Sequence, residues 1–322
     1  MGDILMDRVG NVFIAKSDDN LGGTSASIIS RDRIGQNFLA FDGGAPGLPN
    51  TFLHYSDYIN DEIGIAKKSG VAGDVITTYS FPNDNYVDTK PTPLPVPDIS
   101  ESIAYFFVNG SLFIKRDAGG NQDFTIKKYS WPELVEQATL NITSDSAQLK
   151  VVVSDTKIFV AFRDSGINNW RFRRYDDSFN LEASGTGGGQ GGEPAIAADA
   201  GFFYFSEFAQ WTPPFPSFYR MFRMTTSFGS QTTLFNYTGH GSDEVMAADN
   251  SLIYVQLTGL DWRIYNHAGT IVGTLAASNS TSRYMSTIGL TDNYVATLTT
   301  GAGGSVKIYN NTAPFALVRT LS

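Results

Sequence analysis

The residues with the most chemical promise lie in Glu207-Phe-Ala-Gln-Trp-Thr-Pro-Pro-Phe-Pro-Ser-Phe-Tyr, where Trp211, Phe215 and Phe218 are spaced by rigid prolines. Aromatic faces on a stiff backbone can stack against a sugar ring or anchor an apolar partner, because they offer large contact area at small entropic cost. Glu193, Glu207, His240, Asp243 and Glu244 are the polar residues that could complete such a site. Two of these carboxylates about 5–9 Å apart would also be the acid and base of a glycoside hydrolase. The alternative is structural: the same aromatics fold their own link onto a sheet edge and cover it.

Elsewhere the chemistry thins out. Asp117-Ala-Gly-Gly-Asn-Gln-Asp sets the oxygen donors Asp117, Asn121 and Asp123 around two glycines. Such a loop could wrap Ca2+, although the EF-hand spacing and its closing Glu are absent, and a plain solvated turn is the alternative. No other cofactor is suggested. His54, His240 and His267 stand far apart and in no ligand or nucleophile spacing. With no cysteine there are no disulfides, cysteine-zinc sites or thiol nucleophiles, so no catalytic residue can be named. Gly185-Thr-Gly-Gly-Gly-Gln-Gly-Gly lacks the Lys-Ser/Thr ending of a phosphate loop and reads as a flexible connector. In Trp170-Arg-Phe-Arg-Arg-Tyr, strand alternation puts Trp170 and Phe172 on one face and Arg171, Arg173 and Tyr175 on the other. That cationic face would suit an acidic glycan or, more ordinarily, a ladder paired with carboxylates.

The elements that must position these residues are announced by a repeat. A short apolar run ends at Asp or Asn, turns, and resumes as a second apolar run, at Asp7, Asp57, Asn109, Asp155, Asp199, Asp249 and Asp292. Successive turns lie between 43 residues (249 to 292) and 52 residues (57 to 109) apart. The Asp and Asn residues themselves fit tight hairpins, where their side chains bond the local backbone. Val, Ile, Phe and Tyr alternate through each unit as strands require, and Tyr79, Tyr129, Tyr175, Tyr265 and Tyr309 recur late in the third strand. A strand-filled period of this size predicts small sheets repeated radially, since one such sheet cannot bury both faces alone.

Over nearly the whole chain the repeat thus resembles a β-propeller, all-β, with about seven four-stranded antiparallel blades. The expected blades are about 1–43, 51–96, 102–142, 147–185, 193–238, 243–278 and 285–322, in one domain spanning 1–322. The fourth strand of the second unit is expected to dissolve into Pro91-Thr-Pro-Leu-Pro-Val-Pro; if that unit or the first fails, six blades and an N-terminal decoration remain. The Trp-Asp endings of WD40 blades and the Asp-box of sialidases are both absent. Propeller winding would bring Glu193, His240, Asp243 and Glu244 to the face that carries Trp211.

Composition bounds the partners. With 23 basic and 32 acidic residues the net charge is −9, and there is no basic block, which argues against nucleic acid and anionic membranes. No apolar run approaches the length of a membrane span, and the sequence shows no signal peptide. A charged content of only 17% departs from an ordinary cytosolic enzyme. A hydroxyl-rich, cysteine-free chain without a visible export signal is expected to be a non-enzymatic binding or assembly module. The favoured setting is a virion surface, spike or tail component touching a host receptor or glycan, with other structural proteins of the assembly as partners. A mature domain cut from a secreted precursor would explain the same composition. A carbohydrate-active enzyme and a cytosolic interaction scaffold are the competing expectations.

Overall fold

A computed structural model describes the backbone of residues 4–6, 12–17, 26–31, 37–42, 51–57, 62–67, 75–80, 87–93, 103–109, 111–117, 123–130, 135–143, 149–154, 156–163, 169–187, 194–208, 218–237, 245–249, 251–256, 261–275, 288–290, 293–299 and 305–321, with side chains over much of the stretch from 108 onward. Every element among the described residues is a strand, and the strands form seven four-stranded antiparallel sheets. The first sheet is Ile4–Met6, Val12–Ser17, Ala26–Arg31 and Asn37–Asp42 (β1 to β4), and the second Thr51–Asp57, Glu62–Lys67, Val75–Ser80 and Val87–Pro93 (β5 to β8). The third is Ile103–Val108, Ser111–Asp117, Asp123–Tyr129 and Glu136–Thr143 (β9 to β12), and the fourth Leu149–Ser154, Lys157–Arg163, Trp170–Tyr175 and Leu181–Gly187 (β13 to β16). The fifth is Ile196–Ala198, Phe202–Phe208, Tyr219–Thr225 and Thr232–Tyr237 (β17 to β20), and the sixth Val245–Ala248, Leu252–Gln256, Trp262–Asn266 and Ile271–Leu275 (β21 to β24). The seventh is Ile288–Leu290, Tyr294–Thr299, Ser305–Asn310 and Leu317–Leu321 (β25 to β28). Each sheet is a meander in chain order, and none mixes strands from the two ends of the chain.

The chain divides into two compact units. One is built from residues 1–100 and 275–322 and holds the first, second and seventh sheets, with β1 beside both β25 and β5. The other, Glu101–Thr274, stacks its sheets in order, with the first strands β13, β17 and β21 as successive neighbours. Here both faces of a sheet are buried, which is why β14 reads as an unbroken apolar run. Its Ile158, Val160 and Phe162 enter the core shared with the third sheet, alongside Phe113, Phe124 and Ile126. Its Phe159 and Ala161 enter the core shared with the fifth sheet, alongside Phe203, Phe205 and Phe222. Each such side chain, fully buried, contributes about 1.5–3 kcal/mol. The fourth strands alternate exposed and half-buried residues, as outer edges do.

Two sequence expectations need correction. The fourth strand of the second sheet does not dissolve: β8 continues to Pro93, with Pro91 and Pro93 opposite Thr77 and Val75. Being two residues apart in an edge strand, both prolines lack their N–H on the outward side, so the ladder to β7 survives. Gly185 to Gly187 are not connector but the end of β16. A Cβ on Gly185 would stand 2.4 Å from Phe228 Cβ, and one on Gly187 would stand 2.7 Å from the Phe205 ring, so packing requires glycine at both positions.

The outer hairpins share a device. Phe179, Phe228 and Phe315 occupy left-handed backbone at φ of 62°, 56° and 55°, and Gly269 takes the corresponding place at 80°. A bulky residue there costs about 1–2 kcal/mol, offset by what its ring reaches. Phe179 meets Phe113 edge-on at 5.5 Å, and Phe228 meets Phe203 edge-on at 5.2 Å.

Candidate functional site

The β18–β19 hairpin sets Glu207 directly opposite Arg220, at the end from which the aromatic link departs. Strand alternation puts Phe218, Arg220 and Phe222 on one face of β19. The Arg220 guanidinium carbon lies 5.9 Å from the Phe218 ring centre and 5.8 Å from that of Phe222, within cation-π range. Its Nε is buried and has no hydrogen-bond partner. Burial pushes the Glu207 carboxyl above the usual carboxylate range, and Arg220, acting through space, offsets only part of that rise. The half-exposed Phe218 leads into β19. Below this end lies the core of Trp170, Phe172, Phe205 and Phe222, with the Arg163 guanidinium 5.5 Å from the Trp170 ring.

The arrangement can therefore offer a carboxylate acceptor, a guanidinium donor and aromatic surface together. Of the residues expected at this site, Glu207 and Phe218 each lie beside Arg220, a residue the sequence reading does not include. Its signal was there as an Arg flanked by aromatics at i±2, but only the hairpin register places it against Glu207. Trp211, Phe215, Glu193, His240, Asp243 and Glu244 lie outside the described residues. Of the expected calcium ligands, Asp117 ends β10 and Asp123 begins β11, so the backbone brings both to one end of that hairpin. Asn121 and the side chains of Asp117 and Asp123 lie outside the described residues.

No family model matches the chain, and no curated protein matches it significantly by sequence. Solved structures do match. The WD40 domain of Toxoplasma gondii coronin superposes with a TM-score of 0.59 at 11% identity, covering 95% of this chain and 79% of that one. The β-propeller domain of the Trilobed protease from Pyrococcus furiosus, described as having an open velcro topology, gives 0.57 at 9% identity over 97% and 96%. A complex of KlAtg21 with the coiled-coil of AgAtg16 gives 0.64 at 10% identity over 100% and 99%. The chain is a β-propeller. At these identities the likeness is one of fold, and each four-stranded sheet is a blade.

At the opposite end of the fifth blade is a polar joint that the sequence presented only as a turn. Asp199 is buried, and its Oδ1 accepts the backbone N–H groups of Gly201 and Phe202 at 2.8 and 2.7 Å. Its Oδ2 accepts the Tyr204 hydroxyl at 2.7 Å. Burial first, then Asp199, holds the Tyr204 hydroxyl protonated far above its usual range. His267, expected to be an ordinary turn histidine, reaches across from the β23–β24 turn of the sixth blade. Its Nε2 is 3.2 Å from Asp199 Oδ2, off the line of a hydrogen bond, and its ring meets Phe202 edge-on at 5.2 Å. The sixth blade repeats the motif, with Asp249 accepting Ser251 N, Leu252 N and the Tyr254 hydroxyl. The shared signal is Asp-x-Gly/Ser-Phe/Leu-x-Tyr, and its bonds are those of a locked turn, as expected of these Asp positions.

The basic run of the fourth blade is engaged internally. Arg174 Nε donates to Glu182 at 3.0 Å and its Nη1 to the Thr226 carbonyl at 2.9 Å, while the Arg173 guanidinium lies 4.8 Å from the Phe162 ring centre. Lys157 completes the group by pairing with Glu182.

Proposed function

We propose that this propeller is a non-catalytic recognition and assembly module whose binding surface is the end of the fifth blade bearing the β18–β19 link. The observation that carries this is the open Glu207–Arg220 pair between aromatic rings at the base of that link. Such a pair costs stability, and a fold tolerates it where a ligand completes it. A glycan fits the combination of stacking faces with polar edges. Composition supports a virion surface, spike or tail component as the setting, with host-surface glycan or protein and other structural proteins as partners, and with Ca2+ at the β10–β11 link as a stabiliser.

A carbohydrate-active enzyme is the second reading, favoured by Glu207, because a carboxyl raised by burial is what a general acid needs. A protein-docking scaffold is the third, favoured by the exposed Leu181, Ile271 and Leu317, each opening the fourth strand of its blade.

Binding of the purified protein to a broad glycan array, beside a Trp211→Ala variant, tests the proposal. Saturable binding lost in the variant is expected. Binding to no glycan would overturn the glycan reading in favour of protein docking.

A further inference from the structure

We infer that this propeller opens in two parts: a four-blade arc, Glu101–Thr274, held closed by three cationic latches, and a remainder that opens and unfolds separately. The inference needs no ligand and stands apart from the binding reading above. It comes from one position that the register repeats in every blade, the third-strand residue opposite the third residue of the second strand. In the third, fourth and fifth blades this residue is Lys128, Arg174 and Arg223, opposite Phe113, Phe159 and Tyr204. In the first, second, sixth and seventh blades it is Ile29, Thr78, Ile264 and Ile308.

Each of the three cations reaches the turn between the third and fourth strands of the next blade. Lys128 Nζ lies 3.6 Å from Asp177 Oδ2, an oxygen that also accepts Asn109 Nδ2 of the third blade at 3.2 Å. Arg174 Nη1 donates to the Thr226 carbonyl at 2.9 Å, and Arg223 Nη1 donates to the His267 carbonyl. Aromatic rings steady two of the heads: Lys128 Nζ is 5.8 Å from the Phe113 ring centre, and the Arg223 guanidinium is 4.5 Å from that of Phe202.

Apolar packing between blades is non-directional, whereas a charged donor on a fixed acceptor holds one blade in one place against the next. The junctions tied in this way, third to fourth, fourth to fifth and fifth to sixth, are those inside Glu101–Thr274. The series stops in the sixth blade, where Ile264 is fully buried and carries no donor; Ile308 of the seventh is buried too. In a repeat architecture, stability is a sum of repeat and nearest-neighbour terms, so strengthening some junctions and not others divides the chain into separate opening units.

The test is hydrogen–deuterium exchange of the full chain under graded denaturant, read peptide by peptide by mass spectrometry. In the wild type, amides of β13 to β15, β18, β19 and β22 are expected to share one opening. That opening should be at least about 10-fold rarer than those releasing β1 to β8 and β25 to β28. Arg174→Met keeps most of the apolar stem and removes the donor. It is expected to speed exchange in the arc at least about 10-fold, the worth of one charged hydrogen bond, and to leave β1 to β8 unchanged. The wild-type profile decides by itself if that variant does not fold. A single opening shared by all seven blades, or an arc that opens before the remainder, would overturn the inference. So would an Arg174→Met protein that exchanges as wild type does, or one in which every blade speeds up equally.

Discussion

Gly185 of β16 and Phe228 of the next blade are fitted to each other: the space a Cβ would need at 185 is taken by the Phe228 side chain, at 2.4 Å. The contact is near the Phe228 backbone, so rotating the ring does not relieve it. Gly185→Ala is therefore expected to destabilise the protein by about 1–3 kcal/mol, the usual cost of overpacking. Chemical denaturation of the two proteins measures it, and an unchanged midpoint would show that the blades separate more easily than described.

Phe228 itself separates ring burial from backbone strain. Its ring packs against Phe159, Phe172 and Phe203, so Phe228→Ala is expected to cost about 3–5 kcal/mol. Phe228→Gly loses the same contacts but relieves a left-handed backbone at φ 56°. The glycine variant should accordingly be more stable than the alanine variant by about 1 kcal/mol. The reverse order in thermal melts would contradict the left-handed assignment.

The two Asp–Tyr turns should differ in strength. Tyr204 donates to Asp199 at 2.7 Å, whereas Tyr254 donates to Asp249 at 3.2 Å. Tyr204→Phe is expected to cost about 1–2 kcal/mol, as for a buried hydrogen bond to a charged acceptor. Tyr254→Phe should cost less. Equal losses in denaturant titrations would mean the shorter bond confers no extra stability.

Glu207 predicts a pH dependence. Its folded-state pKa is raised above the unfolded value, so the unfolded chain gives up this proton first, and native stability falls as pH rises through that window. Glu207→Gln removes the penalty: it should be more stable than wild type at pH 7, with the gain shrinking as pH falls through the raised folded-state pKa and gone below about pH 4, where wild type is protonated in both states. A gain persisting at pH 3, or a loss at pH 7, would show that the carboxylate is stabilised and not strained.

Much of the fold could be read in advance because each blade repeats one local sentence, an apolar run, an Asp or Asn turn and a second run. Tyr129, Tyr175, Tyr265 and Tyr309, which recur late in the third strands, are all buried near the outer hairpin. What escaped the sequence depended on partners distant along the chain. The Gly185 to Gly187 segment looks like a connector until Phe228, Phe205 and Phe172 are seen to fill the space where side chains would stand. Prolines 91 and 93 look like breakers until their alternate spacing on an edge strand is known. Left-handed phenylalanines run against local preference, and only the packing of a neighbouring blade makes them favourable. Glu207 was visible as a candidate, but Arg220, thirteen positions on, joins it only through the register of a hairpin.

The central claim is recognition without turnover at the β18–β19 end, and incubation of the purified protein with its best array glycan, followed by mass analysis of the recovered glycan, tests it most directly. The account predicts saturable binding, abolished by Trp211→Ala, with the glycan recovered intact. A glycan recovered cleaved or rearranged, with the change abolished by Glu207→Gln, would contradict it and make this blade end an enzyme's active site.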